Sequence, residues 1–140
     1  MTVDSEVIFA LAEVTDAIAP ALEELRGSMA TAWLDERRRD LVFLARGVGR
    51  PLWLGAGARE TFFASTKDAL EVLEHYAGIR LRKRELQEGT FVTLERGRVA
   101  ATARFRPDSS FEEQPLPAVR APDEGAVCLR RLAAIAAALA

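Results

Sequence analysis

The first apolar residues of the chain recur with a helical period. Val7, Ile8, Leu11, Ile18, Leu22 and Leu25 follow three- and four-residue steps apart from one gap, which predicts a helical opening segment. Asp4 or Ser5 is placed to cap it, and Glu6 puts negative charge in its first turn. Pro20 either kinks this stretch or opens a second short helix, and Gly27 is a stop signal. The pattern then changes to strands. Met29 to Leu34 and Leu41 to Ala45 are two runs, and the polar stretch Asp35-Glu36-Arg37-Arg38-Arg39-Asp40 between them predicts a hairpin loop. Pro51 to Leu54, a turn at Gly55-Ala56-Gly57, and Thr61 to Ala64 come next. Ser65-Thr66-Lys67-Asp68 has capping-box spacing with Asp in place of the usual Glu. It predicts a helix through Leu70, Val72, Leu73 and Tyr76 that ends at Gly78.

Two further strands, Thr90 to Leu94 and Val99 to Phe105, are joined by a tight turn at Glu95-Arg96-Gly97-Arg98. Pro107, Pro115, Pro117 and Pro122 punctuate a polar stretch read as an extended arm. An alanine-rich tail follows, with Val127, Leu129, Leu132, Ile135 and Leu139 at the apolar positions of a helix. The order predicts an α+β fold with a mostly antiparallel sheet: a body over 1–106, an arm over 107–122 and a C-terminal helix over 123–140.

Composition narrows the chemistry. The chain has 140 residues with 49% hydrophobic and 29% charged positions, an ordinary globular balance. The formal charge is −2, so no global attraction to nucleic acid or anionic lipid is expected. No apolar run reaches the length of a membrane span, the acidic start does not read as a signal peptide, and Cys128 is the lone cysteine, so a cytoplasmic location is expected. There is no Cys/His cluster with metal-ligand spacing, and Gly47, Gly49, Gly55 and Gly57 lack the strand-to-helix context of a phosphate loop. No metal or cofactor is therefore expected. His75, the only histidine, falls near the end of a predicted helix, where it suits the helix dipole. The basic runs Arg37-Arg38-Arg39 and Arg80, Arg82, Lys83, Arg84 are blunted by Asp35, Glu36, Asp40 and Glu85. A solvated loop or a partner-facing edge is expected there rather than a nucleic-acid site.

Several phrases, taken in order, resemble a known family. Thr2-Val3-Asp4-Ser5-Glu6-Val7-Ile8 is similar to the Asp-(Thr/Ser)-Glu-Val segment of class II glutamine amidotransferases. Leu25-Arg26-Gly27-Ser28-Met29-Ala30 and Leu44-Ala45-Arg46-Gly47-Val48-Gly49-Arg50-Pro51-Leu52 resemble the family's approaches to its next strands, and Gly55 stands where the family usually has glycine. Phe63-Ala64-Ser65 with Ala69-Leu70 resembles its strand-to-helix segment, and Leu86-Gln87-Glu88-Gly89 the turn before the last strand pair. The resemblance runs from Val3 to Val99 and does not cover the chain beyond Phe105.

The resemblance implies the αββα sandwich of N-terminal-nucleophile hydrolases, and of that fold only the second half. In the family an N-terminal cysteine attacks the glutamine carboxamide, an Asn-Gly pair supplies oxyanion donors, and an arginine phrase holds the substrate carboxylate. All of these lie upstream of the Asp-Ser-Glu phrase, and this chain contains no asparagine. One pocket residue carries over: Asp4, at the position that binds the α-ammonium of glutamine, whose alternative role is as a helix N-cap. Thr2 lies inside the helix-opening phrase and Cys128 in the tail, so neither replaces the nucleophile; Arg46 reads as structural. The expected function is that of a glutaminase subunit. It would be completed by a separate Cys-bearing chain, release ammonia from glutamine only in that complex, and be inactive alone. The alternative is a non-catalytic structural or regulatory module that self-associates.

Overall fold

The computed structural model describes residues 6–110 together with Arg130, Arg131 and Ala134. The fold is α+β, as the periodicity predicts, with two antiparallel sheets and three α-helices between Glu6 and Arg104 among the described residues. The chain divides into two compact units. Of the described residues, one contains 6–50 and 86–110, the other Pro51–Glu85 with Arg130, Arg131 and Ala134.

In the first unit the opening segment breaks into α1 (Glu6–Val14), α2 (Ile18–Ala21) and a single 3-10 turn, Leu22–Glu24. Pro20 explains the interruption. In a continuous helix its ring would strike the carbonyl of Asp16, four residues back. The chain turns between the two helices instead, and the Thr15 hydroxyl accepts a hydrogen bond from Ala17 N–H at 3.0 Å. Four strands follow: β1 (Ala30–Leu34), β2 (Leu41–Arg46), β6 (Thr90–Glu95) and β7 (Arg98–Arg104). They lie in the order β1-β2-β6-β7, every neighbour antiparallel. Arg96 and Gly97 both have positive φ, 48° and 78°, which gives the β6–β7 hairpin the right-handed twist its two-residue turn requires.

Alternation sorts the side chains of this sheet onto two faces. Trp33 pairs with Phe43, Ala45 with Phe91, and Phe91 with Ala103, so these residues share one face. They form the core with Ile8, Ala12, Ile18, Ala19 and Leu22 from the helices and with Phe105. Leu44, Val92 and Leu94 point the other way and are also buried.

The second unit holds β3 (Trp53–Ala56), β4 (Thr61–Ala64), α3 (Lys67–Ala77) and β5 (Arg82–Glu85), with sheet order β4-β3-β5. Gly55 and Ala56, expected to turn, continue the strand. Gly55 pairs with Phe62 on one side and Lys83 on the other, and the turn begins at Gly57, whose N–H donates to Glu60 O. The pattern also missed β5, because a strand written Arg-Lys-Arg-Glu has no apolar alternation to reveal it. A Cβ on Gly55 would stand 3.0 Å from Leu81 Cδ1 and 3.3 Å from the Leu70 methyls, so the missing side chain lets α3 lie close to β3. The cap of α3 is Thr66 rather than Ser65. Its hydroxyl accepts from Ala69 N–H at 3.3 Å, one residue later than expected, so Asp68 sits too early in the helix for a reciprocal box. Gly78 ends the helix in the left-handed conformation, as expected.

Of the C-terminal helix, Arg130, Arg131 and Ala134 are helical and exposed; the rest of it, and the arm from residue 111, lie outside the described residues. No helix among the described residues is long and apolar enough to cross a membrane.

Gly89 is the most constrained corner of the first unit. It has φ 68°, and a Cβ there would lie 2.3 Å from the backbone oxygen of Phe105. Its own N–H and C=O tie Arg46 O to Phe105 N–H, at 2.8 and 3.0 Å. Gly89→Ala should therefore destabilise the protein by more than about 1 kcal/mol, read as a lower urea midpoint at unchanged slope. An unchanged midpoint would show that the corner can relax.

Candidate functional site

Asp4, the one residue assigned to a substrate, lies outside the described residues, as do Thr2 and Cys128. Described structure begins at Glu6, where α1 starts two residues beyond Asp4. What the structure defines is how α1 is held. Ile8 and Ala12 are buried in the aromatic core. There Trp33 and Phe43 have centroids 5.5 Å apart, and Phe91 lies 5.9 Å from each, stacked on Phe43 at an interplanar angle of 10°.

The β1–β2 loop reaches back to the C-terminal end of the same helix. Arg37 Nη2 donates to Ala12 O, satisfying a last-turn carbonyl and placing a cation at the negative end of the helix dipole. Asp35 fixes that arginine: Arg37 Nε and Nη2 donate to its carboxylate at 3.0 and 2.8 Å, and Arg37 N–H donates at 2.9 Å. The Arg37 side chain first and its backbone N–H second pull the Asp35 carboxyl from 3.8 down to about 2. Arg38 lies over the Phe43 ring, 5.0 Å from the centroid, and faces Asp16 at 3.8 Å. Arg37 and Arg38 are thus engaged within their own fold, as polar straps from the hairpin to the helical layer.

Beside this strap is an open cleft of about 240 Å³ lined by Phe9, Glu13, Trp33, Leu34, Asp35 and Arg37, among others. Phe9 and Leu34 are 48% and 67% exposed, so the cleft has an apolar lip. Trp33 Nε1 is buried with no hydrogen-bond partner among the described residues.

The Ala-Arg-Gly phrase meets the Leu-Gln-Glu-Gly turn. Arg46 Nη1 donates to Leu86 O, and Gly49 N–H donates to the Glu88 carboxylate at 3.1 Å. From the other side Arg104 donates to Glu88 O at 2.7 Å and to the buried Thr90 hydroxyl. Arg46 is therefore a structural arginine: it holds the turn that launches β6.

In the second unit Lys83 Nζ and Leu81 N–H both donate to Glu74, whose carboxyl is held below its usual range by Lys83 first and Leu81 second. His75 packs edge-on against Tyr76, centroids 5.1 Å apart, in the last turn of α3. Among the described residues no group of three or more His, Cys, Asp and Glu side chains is placed to hold a metal.

The family described as "Glutamine amidotransferase domain" matches residues 1–72, and the chain belongs to it. No curated protein matches the chain.

Nothing in the hydropathy pattern pointed to the Asp35–Arg37 strap. The runs that carry Trp33, Phe43 and Phe91 were legible as strands, but the basic loop read as a solvated loop or a partner-facing edge. Asp two residues before Arg at a hairpin tip was the available signal.

The low Asp35 pKa has a consequence for stability. A carboxyl titrating at 3.8 when unfolded and about 2 when folded stabilises the native state fully above the first value, and that contribution is lost as pH falls toward the second. Asp35→Asn should melt below wild type at neutral pH and converge with it as pH falls from about 4 to about 2. Parallel melting curves across that window would refute the strap.

Proposed function

We propose that this chain supplies the C-terminal part of a class II glutaminase, completed by a separate chain that carries the N-terminal cysteine half. In the complex the thiolate would attack the glutamine carboxamide carbon. The C–N bond breaks as the nitrogen gains a proton and leaves as ammonia, and water then cleaves the thioester to glutamate. This chain's contribution would be Asp4, whose carboxylate accepts hydrogen bonds from the substrate α-ammonium, and the scaffold that fixes α1 behind it.

Membership of the glutamine amidotransferase domain family over residues 1–72 carries this reading. With no asparagine and a single cysteine at position 128, these 140 residues do not include an Asn-Gly oxyanion pair or a cysteine near the Asp4 phrase. Alone, the chain is then catalytically silent. A second reading, a non-catalytic structural or regulatory module, draws on the fact that Arg46, Gly55 and Gly89, all in the family phrases, serve the scaffold.

Co-expression with a Cys-bearing glutaminase half from the same genome separates the two. The split enzyme requires a stable complex that releases ammonia from glutamine, and neither chain active by itself; a complex with no ammonia release would favour the structural module. In an active pair Asp4→Asn should remove a charge-assisted hydrogen bond of about 1.5–3 kcal/mol, and so raise KM for glutamine roughly 10- to 100-fold. An unchanged KM would remove Asp4 from the pocket.

A further inference from the structure

The expected blunting of Arg82 and Arg84 by Glu85 is undone by strand geometry. β5 reads Arg82-Lys83-Arg84-Glu85, and alternation puts Arg82 and Arg84 on one face, Lys83 and Glu85 on the other. Lys83 is engaged within its own unit: its ammonium donates to Glu74 and lies 3.9 Å from Glu71, both on α3. Arg82 and Arg84 are exposed, and neither side chain has a hydrogen bond or ion pair among the described residues. Their cross-strand neighbours on the same face are Ala56 and Leu54 of β3, then Thr61 and Phe63 of β4. That face of the three strands carries two arginines and no carboxylate.

β5 also ends the order β4-β3-β5, so the side of its backbone away from β3 has no strand beside it among the described residues. An unpaired strand edge templates the pairing of another extended segment. The phase of the hydrogen bonds fixes what this edge offers. Gly57 N–H donates to Glu60 O, so Gly57 faces β4. Alternation then turns Leu54 and Ala56 toward β5, and their partners Arg84 and Arg82 toward β3. The N–H and C=O of Lys83, between them, point outward. Residues of an added antiparallel strand opposite Arg82 and Arg84 would stand at non-hydrogen-bonded positions, where facing side chains approach most closely. A second copy does not suit the edge. Pairing β5 with itself about Lys83 sets Arg82 opposite Arg84 on both sides, and like charges directly opposite oppose pairing. We propose that β5 is a docking edge for an acidic extended segment of another polypeptide, with two carboxylates two residues apart and an uncharged residue between them. The carboxylates meet Arg82 and Arg84, and the residue between exchanges backbone hydrogen bonds with Lys83. That middle residue is uncharged because it falls on the Lys83 face, where Glu74 already neutralises the lysine. The edge belongs to the second unit and does not depend on the glutaminase reading, because it needs no catalytic partner to be tested.

The test uses the full 140-residue chain, isotope-labelled, with two blocked peptides: Thr-Thr-Glu-Val-Glu-Val-Thr and the same sequence with Lys in place of both Glu. The Glu peptide should protect the Lys83 amide and bind at least about tenfold more tightly than the Lys peptide. Changing the exposed pair together, Arg82→Glu with Arg84→Glu, should reverse that preference. Methylating the peptide nitrogen of the central valine should abolish binding, whereas methylating that of the first glutamate, which faces away from β5, should not. Equal binding of the two peptides, or binding that survives methylation at the central valine, overturns the proposal. So does a Lys83 amide already protected in the chain alone, since the protein itself would then fill the edge.

Discussion

The packing of Trp33, Phe43 and Phe91 on one face of the four-stranded sheet is the interaction on which the rest of the first unit depends. α1 has nine residues, too few to persist as an isolated helix in water. Its order comes from burying Ile8 and Ala12 in the aromatic core and from the Arg37 hydrogen bond to Ala12 O. The strand register matters equally. A one-residue slip of β2 would send Phe43 to the opposite face, leaving α1 and α2 without a surface to cover. The hairpin whose register sets that face also carries the Asp35–Arg37 strap, so one loop secures both sheet and helix.

The family phrases take on a particular meaning in this setting. Those that fall in described structure serve turns and close packing. Arg46 braces the turn at Leu86, Gly89 lets the backbone pass against Phe105, and Gly55 leaves room for Leu70 and Leu81. Such positions report a fold, because each answers a local steric or hydrogen-bonding demand.

Much of the architecture was legible in the sequence. The short apolar runs at Leu41 to Ala45 and Thr90 to Leu94, and the Arg-Gly tip of the β6–β7 hairpin, predicted their strands within a residue. What escaped was written in charge rather than hydrophobicity. β5 is a strand of Arg, Lys, Arg and Glu whose neighbours, not its own pattern, make it extended. The Thr66 cap was displaced by one residue because Ser and Thr are adjacent and either hydroxyl can serve; only the backbone decides. The candidate site was legible only through the family phrase at Asp4. A single carboxylate before a helix is also an ordinary cap, and no residue pattern distinguishes the two roles.

The aromatic face, rather than the intrinsic propensity of its sequence, holds α1 in place. Amide hydrogen exchange in Phe43→Ala addresses it most directly. The amides of α1 should lose most of their protection while the β6–β7 hairpin keeps its own. Undiminished protection along α1 in a folded Phe43→Ala protein would contradict it.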